Sequence, residues 1–322
     1  MSASRSLRAV LDAVERALTD AASPTDEIGL DARREARLLV SAVLECEPGD
    51  LVRARDHLVP EAQDQAIEAA LARRLRGEPL AYAVGNAPFR HLVLAVDARV
   101  LIPRPETEVV VEEALRATRA QPGGVAVDIG TGSGAIALAL ATEGRFDRVI
   151  ATDISRDALT VAAANADAIR PSTPVEFRLG ADLAPLAGLQ ARVIVSNPPY
   201  IAYEEAAALP ASVRNWEPAT ALFAADGGMA RYDALLAGAA TVLEPDGCLV
   251  LEVDARRAEE TAARARQWGW REVRIIRDLA GRDRVLVAKS PAHGPSAGAV
   301  AASSAGISTV SSATGPEART HA

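Results

Sequence analysis

Asn197-Pro198-Pro199-Tyr200 follows the apolar run Arg192-Val-Ile-Val-Ser196, which reads as a strand, so the tetrapeptide sits where a strand opens into a turn. At the carboxyl edge of an open α/β sheet, that is where ligands bind. Two successive prolines lock φ and bias Asn197 and Pro198 toward extended backbone, which makes the turn rigid. Neither proline has an N–H, so the turn offers acceptors: the Asn197 side-chain oxygen and the Pro198 carbonyl. Two fixed acceptors beside the flat ring of Tyr200 suit a planar NH2 group, one acceptor for each hydrogen and the ring against its face. An amide nitrogen is a poor nucleophile because its lone pair is delocalised. Acceptors on both hydrogens stabilise the positive charge that grows as the nitrogen attacks the methyl of a sulfonium, and they hold it in line. Asn197, Pro198 and Tyr200 are therefore the candidate catalytic residues, and Asn197, Pro198, Pro199 and Tyr200 the candidate substrate-binding ones. An isolated NPPY could equally be a turn with a capping Asn; what stands upstream decides between the two.

Upstream lies Val127-Asp128-Ile129-Gly130-Thr131-Gly132-Ser133-Gly134-Ala135, between an expected strand and an expected helix. Glycines let a ligand approach the backbone, and a following helix N-terminus presents free N–H groups. Asp153 ends the next strand, where a carboxylate can accept both ribose hydroxyls of an adenosine group. The same residues also satisfy the dinucleotide fingerprint, Gly130-x-Gly132-x-x-Ala135 with Asp153, so the loop alone indicates an adenosine-containing ligand without choosing which. Asp128 tilts the choice: a carboxylate there would repel a pyrophosphate and favour the positive sulfonium and amine of S-adenosylmethionine.

These residues need a frame, and the hydrophobic pattern supplies one. Within the first 80 residues, three stretches have helical spacing. The first is Leu7, Val10, Leu11, Val14 and Leu18. The second opens at Asp31, and the third opens at Pro60 and carries Ile67, Leu71 and Leu75. They read as a small helical bundle. Segment 89–102 is rich in β-branched residues with a polar break at Asp97-Ala98-Arg99, which suits a short hairpin turning at that break. From about residue 106, strands expected at 125–129, 148–152, 175–179, 192–196, 248–253, 273–277 and 285–288 are separated largely by helix-length segments. That pattern implies a mostly parallel, doubly wound α/β sheet. After residue 289 the chain is low-complexity Ala/Ser/Gly/Pro/Thr and reads as a disordered tail.

Composition narrows the function. The chain has 322 residues, with 35 Lys plus Arg against 43 Asp plus Glu, a net charge of −8. An acidic chain argues against binding nucleic acid through its phosphates. Cys46 and Cys248 form no CxxC or Cys/His cluster, so neither a metal nor a disulfide is expected. No run of apolar residues is long enough to span a membrane, and the N-terminus lacks a signal-peptide pattern, which points to the cytoplasm.

Taken together, Leu101-Ile-Pro-Arg-Pro-Glu-Thr-Glu108, Asp128-Ile-Gly-Thr-Gly-Ser-Gly134 and Ser196-Asn-Pro-Pro-Tyr200 resemble the protein-(glutamine-N5) methyltransferases that act on peptide chain release factors. NPPY alone is shared with adenine-N6 and cytosine-N4 DNA methyltransferases; LIPRPETE is not. The resemblance spans residues 5–289. It implies an N-terminal helical substrate-recognition domain (1–80), a hairpin linker (81–105) and a class I S-adenosylmethionine-dependent methyltransferase domain (106–289), followed by the tail (290–322). It also implies methyl transfer to the glutamine of a release factor's Gly-Gly-Gln loop; separately, a monomer is expected.

By the same resemblance, Gly130, Thr131, Gly132, Ser133 and Gly134 would line the methionine part of the cofactor. Asp153 would hold the ribose, Asp182 and Leu183 would lie against the adenine, and Asn197 would face both cofactor and substrate. Arg104, Glu106 and Thr107 would brace the pocket, or form a Pro-rich connector held by a salt bridge. Trp216-Glu217-Pro218 and Asp226-Gly227-Gly228 resemble a loop over the site. The chain departs from the family at Ala81, His91, Leu94 and Asp254, where a glutamine, a glycine, a phenylalanine and a glycine are usual. Other readings remain: glutamine methylation of a ribosomal protein, a nucleic-acid amino methyltransferase, an NAD-dependent oxidoreductase that leaves NPPY unexplained, and a binding protein without activity.

Overall fold

Ser6 begins the first helix by accepting a hydrogen bond from Ala9 N at 3.3 Å, and Asp31 begins the second by accepting from Arg34 N at 3.0 Å. Both are short polar caps that satisfy otherwise orphaned amides. The computed structural model describes residues 4–22 and 31–291, so the tail expected from 290 lies almost wholly outside the described residues. The N-terminal unit comprises α1 (Leu7–Asp20), α2 (Ala32–Val43), the one-turn α3 (Asp50–Arg53) and α4 (Glu61–Leu75). Their apolar stripes, Leu7, Val10, Val14 and Leu18 against Leu39, Val40, Leu51 and Ile67, close one core. Leu38 and Leu75, both in the expected helical stretches, fall on the outer faces and stay exposed.

A short helix, α5 (Leu80–Val84), ends at Gly85 in left-handed conformation and feeds β1 (Asn86–Phe89) and β2 (Leu92–Ala95). The two strands pair antiparallel from Asn86↔Ala95 to Phe89↔Leu92. The hairpin therefore turns at Arg90-His91, not at the polar break Asp97-Ala98-Arg99 that the sequence suggested. Two-residue turns favour Gly or Asn because they need positive φ. Here Arg90 takes φ +53° and is held by other means. Its N–H donates to Glu108 Oε1 at 2.9 Å, and its guanidinium pairs with Glu143 at 2.6 and 2.7 Å. The break at Asp97 is a local turn after the hairpin, where Asp97 accepts from Arg99 N at 3.0 Å. Of the two hairpin departures, His91 is exposed at the turn and Leu94 is fully buried in the core beside Phe89, so a leucine fills that site.

The remaining elements are α6 (Thr107–Thr118), β3 (Val125–Ile129), α7 (Ala135–Glu143), β4 (Arg148–Asp153), α8 (Arg156–Ile169), β5 (Val175–Leu179), β6 (Ala191–Ser196), the two-residue β7 (Ile201–Ala202), α9 (Ala211–Arg214), α10 (Ala219–Leu222), β8 (Phe223–Ala224), α11 (Ala230–Gly238), β9 (Leu243–Glu252), α12 (Ala258–Gln267), β10 (Arg271–Arg277) and β11 (Asp283–Lys289). One sheet runs in the order β10-β11-β9-β6-β3-β4-β5. The ladder from β9 through β5 is parallel; β11 is antiparallel to both β9 and β10. The antiparallel edge arises because only a short loop joins β10 to β11, and a parallel pair would need a long crossover. Alternate strand residues feed two cores: Ala126, Val149, Val193 and Val250 face α6 and α7, while Val127, Ile150, Ile194 and Leu249 face α11 and α12. This is the mostly parallel, doubly wound α/β sheet with a helical N-terminal unit that the strand–helix alternation implied.

One buried side chain ties three elements together. Asn165 of α8 donates to the carbonyls of Ala95 (3.0 Å) and Ser133 (2.9 Å) and accepts from Ala95 N (2.8 Å), joining the hairpin to the glycine loop. Asn165→Ala leaves those backbone groups unpaired in the interior. It is expected to lower stability by about 2–4 kcal/mol, read from urea unfolding followed by circular dichroism.

Candidate active site

Strands β3, β4 and β6 all end on the same side of the sheet, on either side of the point where the strand order reverses. There Gly130, Gly132, Asp153, Asp182, Asn197, Pro198 and Pro199 line one open cleft. The glycine loop is shaped by backbone demands. Gly130 and Gly132 have φ of +74° and +54°, and a Cβ added at either would point into open space, so the loop leaves room above itself. Its amides are anchored from below: Gly130 N and Thr131 N both donate to the Thr152 carbonyl at 2.9 Å. Gly132 N donates to Asp153 Oδ2 at 2.9 Å and Ser155 N to Asp153 Oδ1 at 2.8 Å, which fixes the Asp153 carboxylate at the rim.

Not every residue that the sequence singled out reaches the cleft. Asp128 is fully buried beneath the loop, where its Oδ2 accepts from Thr131 Oγ1 (2.7 Å) and Ala137 N (3.1 Å). Its Oδ1 has no partner among the described residues, and burial pushes its pKa up to about 7. Asp128 thus holds the loop and does not line the cleft, so its charge does not decide between a pyrophosphate and a sulfonium there. Thr131 and Ser133 are likewise buried under the loop, and Gly134 caps α7. Asp182 lines the cleft with its carboxylate bound to Arg231 at 2.9 Å, while Leu183 packs on Gly238 outside it.

At the end of β6, Ser196 donates to the Ile129 carbonyl at 2.7 Å and sets the NPPY turn beside the glycine loop. Asn197 Nδ2 donates to Thr107 Oγ1 at 3.1 Å, so Oδ1 is the polar atom of that side chain left for the cleft. Tyr200 leaves the cleft: its ring packs on the core between the sheet and α11, and its hydroxyl lies 3.5 Å from Glu252 Oε1. Of the linker residues, Arg104 pairs with buried Glu217, Glu106 pairs with Arg282 at 3.0 Å, and Thr107 supports Asn197. Both sequence alternatives for this segment therefore hold in part, with bracing by Thr107 and a salt bridge by Arg104. Asp254, where the resemblance expects glycine, binds Arg256 (2.7 Å) and Arg257 (3.1 Å). Arg257 in turn donates to the Gly227 carbonyl at 2.7 Å, tying residues 226–228 to the segment that follows β9; none of those three residues lines the cleft.

Sequence reasoning missed Ile154, Thr220 and Arg231 in the lining. Ile154 could have been found: a large apolar residue directly after the strand-end acid, it is 60% exposed beside Asp153, where a flat apolar base could cover it. Thr220 and Arg231 come from elements with no motif to mark them.

A model of the PrmC N-terminal domain matches residues 10–85, and one of the Methyltransferase small domain matches residues 107–229. Release factor glutamine methyltransferase of Cereibacter sphaeroides is 40% identical over 266 residues, covering 82% of this chain and 94% of its own. That of Moorella thermoacetica is 42% identical over 258 residues, covering 80% and 90%. The chain belongs to the release factor glutamine methyltransferase family. S-Adenosylmethionine, the cofactor implied for this family, suits the chemistry of the cleft: the Asp153 carboxylate is held at the rim as a hydrogen-bond acceptor, and the glycine backbone leaves open space above itself.

Two outcomes follow from this family site. Asp153→Ala removes the acceptor at the rim and is expected to weaken S-adenosylmethionine binding by about 10–100-fold, measured by titration calorimetry. For Asp128, a folded-state pKa raised to about 7 means that its proton stabilises the fold. That contribution is full below the ordinary carboxylate range and is lost as pH rises to about 7. Urea unfolding without cofactor is therefore expected to lose more stability between pH 4 and 7 in the wild type than in Asp128→Asn.

Proposed function

We propose that this protein transfers the methyl group of S-adenosylmethionine to the side-chain amide nitrogen, N5, of the glutamine in the Gly-Gly-Gln loop of a peptide chain release factor. The observation that carries the reading is the fixed orientation of Asn197. With Nδ2 engaged by Thr107, Oδ1 faces the cleft as an acceptor, next to the rigid Pro198 whose carbonyl is the second acceptor of the turn. The bound cofactor supplies an electrophilic methyl; everything else is positioning by the chain. Oδ1 of Asn197 and the carbonyl of Pro198 take the two amide hydrogens, which favours positive charge on nitrogen and aims its lone pair. Asp153 holds the ribose, and the Arg104–Glu217 pair ties the linker to residues 216–218, of which Pro218 lines the cleft. Tyr200 acts through the packing of the turn, not by stacking on substrate.

In this reading the helical unit (1–80) recognises the release factor, the hairpin segment (81–105) links it, and 106–289 carries out the chemistry. The enzyme works as a monomer in the cytoplasm; among the described residues, no helix is long and apolar enough to cross a membrane. The names of the relatives support release factor as the substrate.

The test is peptide mass spectrometry of a purified release factor after incubation with enzyme and S-adenosylmethionine. One added methyl on the Gly-Gly-Gln glutamine is expected. Asn197→Ala is expected to cut kcat by at least about 100-fold with cofactor affinity little changed. No methyl on the release factor, with cofactor bound, would defeat the assignment of the acceptor.

A further inference from the structure

Glu252, at the end of β9, is the least exposed acid near the cleft after Asp128, yet it does not line the cleft. Its Oε2 accepts from Thr107 Oγ1 at 2.6 Å, and Oε1 lies 3.5 Å from the Tyr200 hydroxyl. Thr107 has a single hydroxyl hydrogen. While that hydrogen is given to Glu252, the Thr107 oxygen can only accept from Asn197, and it does so from Nδ2 at 3.1 Å. We propose that Glu252 is a positioning residue which, through the Thr107 hydroxyl, fixes the acceptor end of the Asn197 amide toward the substrate.

The chain of donors has a direction, and the proton on Glu252 sets it. An ionised Glu252 takes the Thr107 hydrogen and leaves Asn197 Oδ1 to the cleft. A protonated Glu252 donates to Thr107 instead. The Thr107 hydrogen then turns to Asn197, the amide flips to present Oδ1 to it, and Nδ2 faces the cleft. A donor there cannot accept an amide hydrogen of the substrate. The groups around Glu252 are Glu106 and Thr107 at the start of α6, Tyr200 after β6, Tyr232 of α11 and Arg284 of β11. Burial is the main influence and raises the carboxyl to about 7, against the Thr107 hydroxyl and the Arg284 charge, which lower it. The active orientation is thus favoured above about pH 7 and is lost as pH falls through it.

This inference rests on the reading of Asn197 given above, and its experiment separates the two. Thr107→Val removes the hydroxyl with little change of shape. Its kcat is expected to fall about 10–100-fold, with KM for the release factor and affinity for S-adenosylmethionine little changed, while Thr107→Ser stays near wild type. Glu252→Gln is expected to abolish the acid limb of the kcat–pH profile, a loss that separates Glu252 from Asp128, which is raised to a similar value. Wild-type kcat in Thr107→Val, or equal impairment in Thr107→Ser, overturns the proposal; so does an acid limb that persists in Glu252→Gln. A second readout needs neither release factor nor the valine variant. The side-chain amide signals of Asn197 in nitrogen-15 NMR spectra, identified by their loss in Asn197→Ala, are expected to titrate near pH 7 in wild type and to stay fixed in Glu252→Gln. The same titration in both proteins overturns the proposal. A wild type that methylates no release factor defeats the substrate assignment, and the NMR comparison still decides the role of Glu252.

Discussion

Where β3 and β6 end, Ser196 donates its hydroxyl hydrogen to the Ile129 carbonyl at 2.7 Å, and the two turns that make the cleft start side by side. The parallel ladder between these strands runs in register to that point, from Ala126↔Val193 to Ile129↔Ser196. A one-residue slip would reverse the faces of β6 and carry Asn197 away from the glycine loop. Both strands are buried on both faces, so the register is held by two cores at once. The site is therefore positioned by two paired strands that are packed on both faces.

Burial of carboxylates is the cost of this arrangement. Asp128, Glu217 and Glu252 all lie in the interior, and in each burial pushes the carboxyl upward. Isolated, such groups would be strongly unfavourable, so each is given hydrogen-bond or charge partners: Thr131 and Ala137 N for Asp128, Arg104 for Glu217, Thr107 and Arg284 for Glu252. Each partnered acid connects segments around the cleft to one another or to the frame beneath: the glycine loop through Asp128, the linker and residues 216–218 through Glu217, and the NPPY turn through Glu252. The polar interior is where the geometry of the site is set.

The sheet, the glycine loop and the NPPY turn were legible because each depends on near neighbours in the chain. Alternating Val, Ile and Ala marks a strand, Gly130-x-Gly132 marks positive φ, and two prolines mark a stiff turn. The hairpin turn was misplaced because Arg90-His91 carries no such mark: positive φ at Arg90 is held by Glu108 and Glu143, which arrive from α6 and α7. Asp128 was misread for a similar reason. Its place before the glycines is visible in sequence; that its side chain points under the loop toward Thr131 and Ala137 is not. Tyr200 belongs with it, since a ring after two prolines looks available until the core beside α11 receives it.

The strand–helix alternation, the rigid acceptor turn, the open glycine backbone and the rim carboxylate can all be read from residue order, because backbone dihedrals and the period of burial are set by residues close along the chain. The tertiary structure alone decided which end of Asn197 faces the cleft. That depends on Thr107, 90 positions earlier, and on Glu252, 145 positions beyond Thr107. Contacts over such separations follow from the order of strands in the sheet, and no local pattern of residue types encodes which hydroxyl will meet which carboxylate.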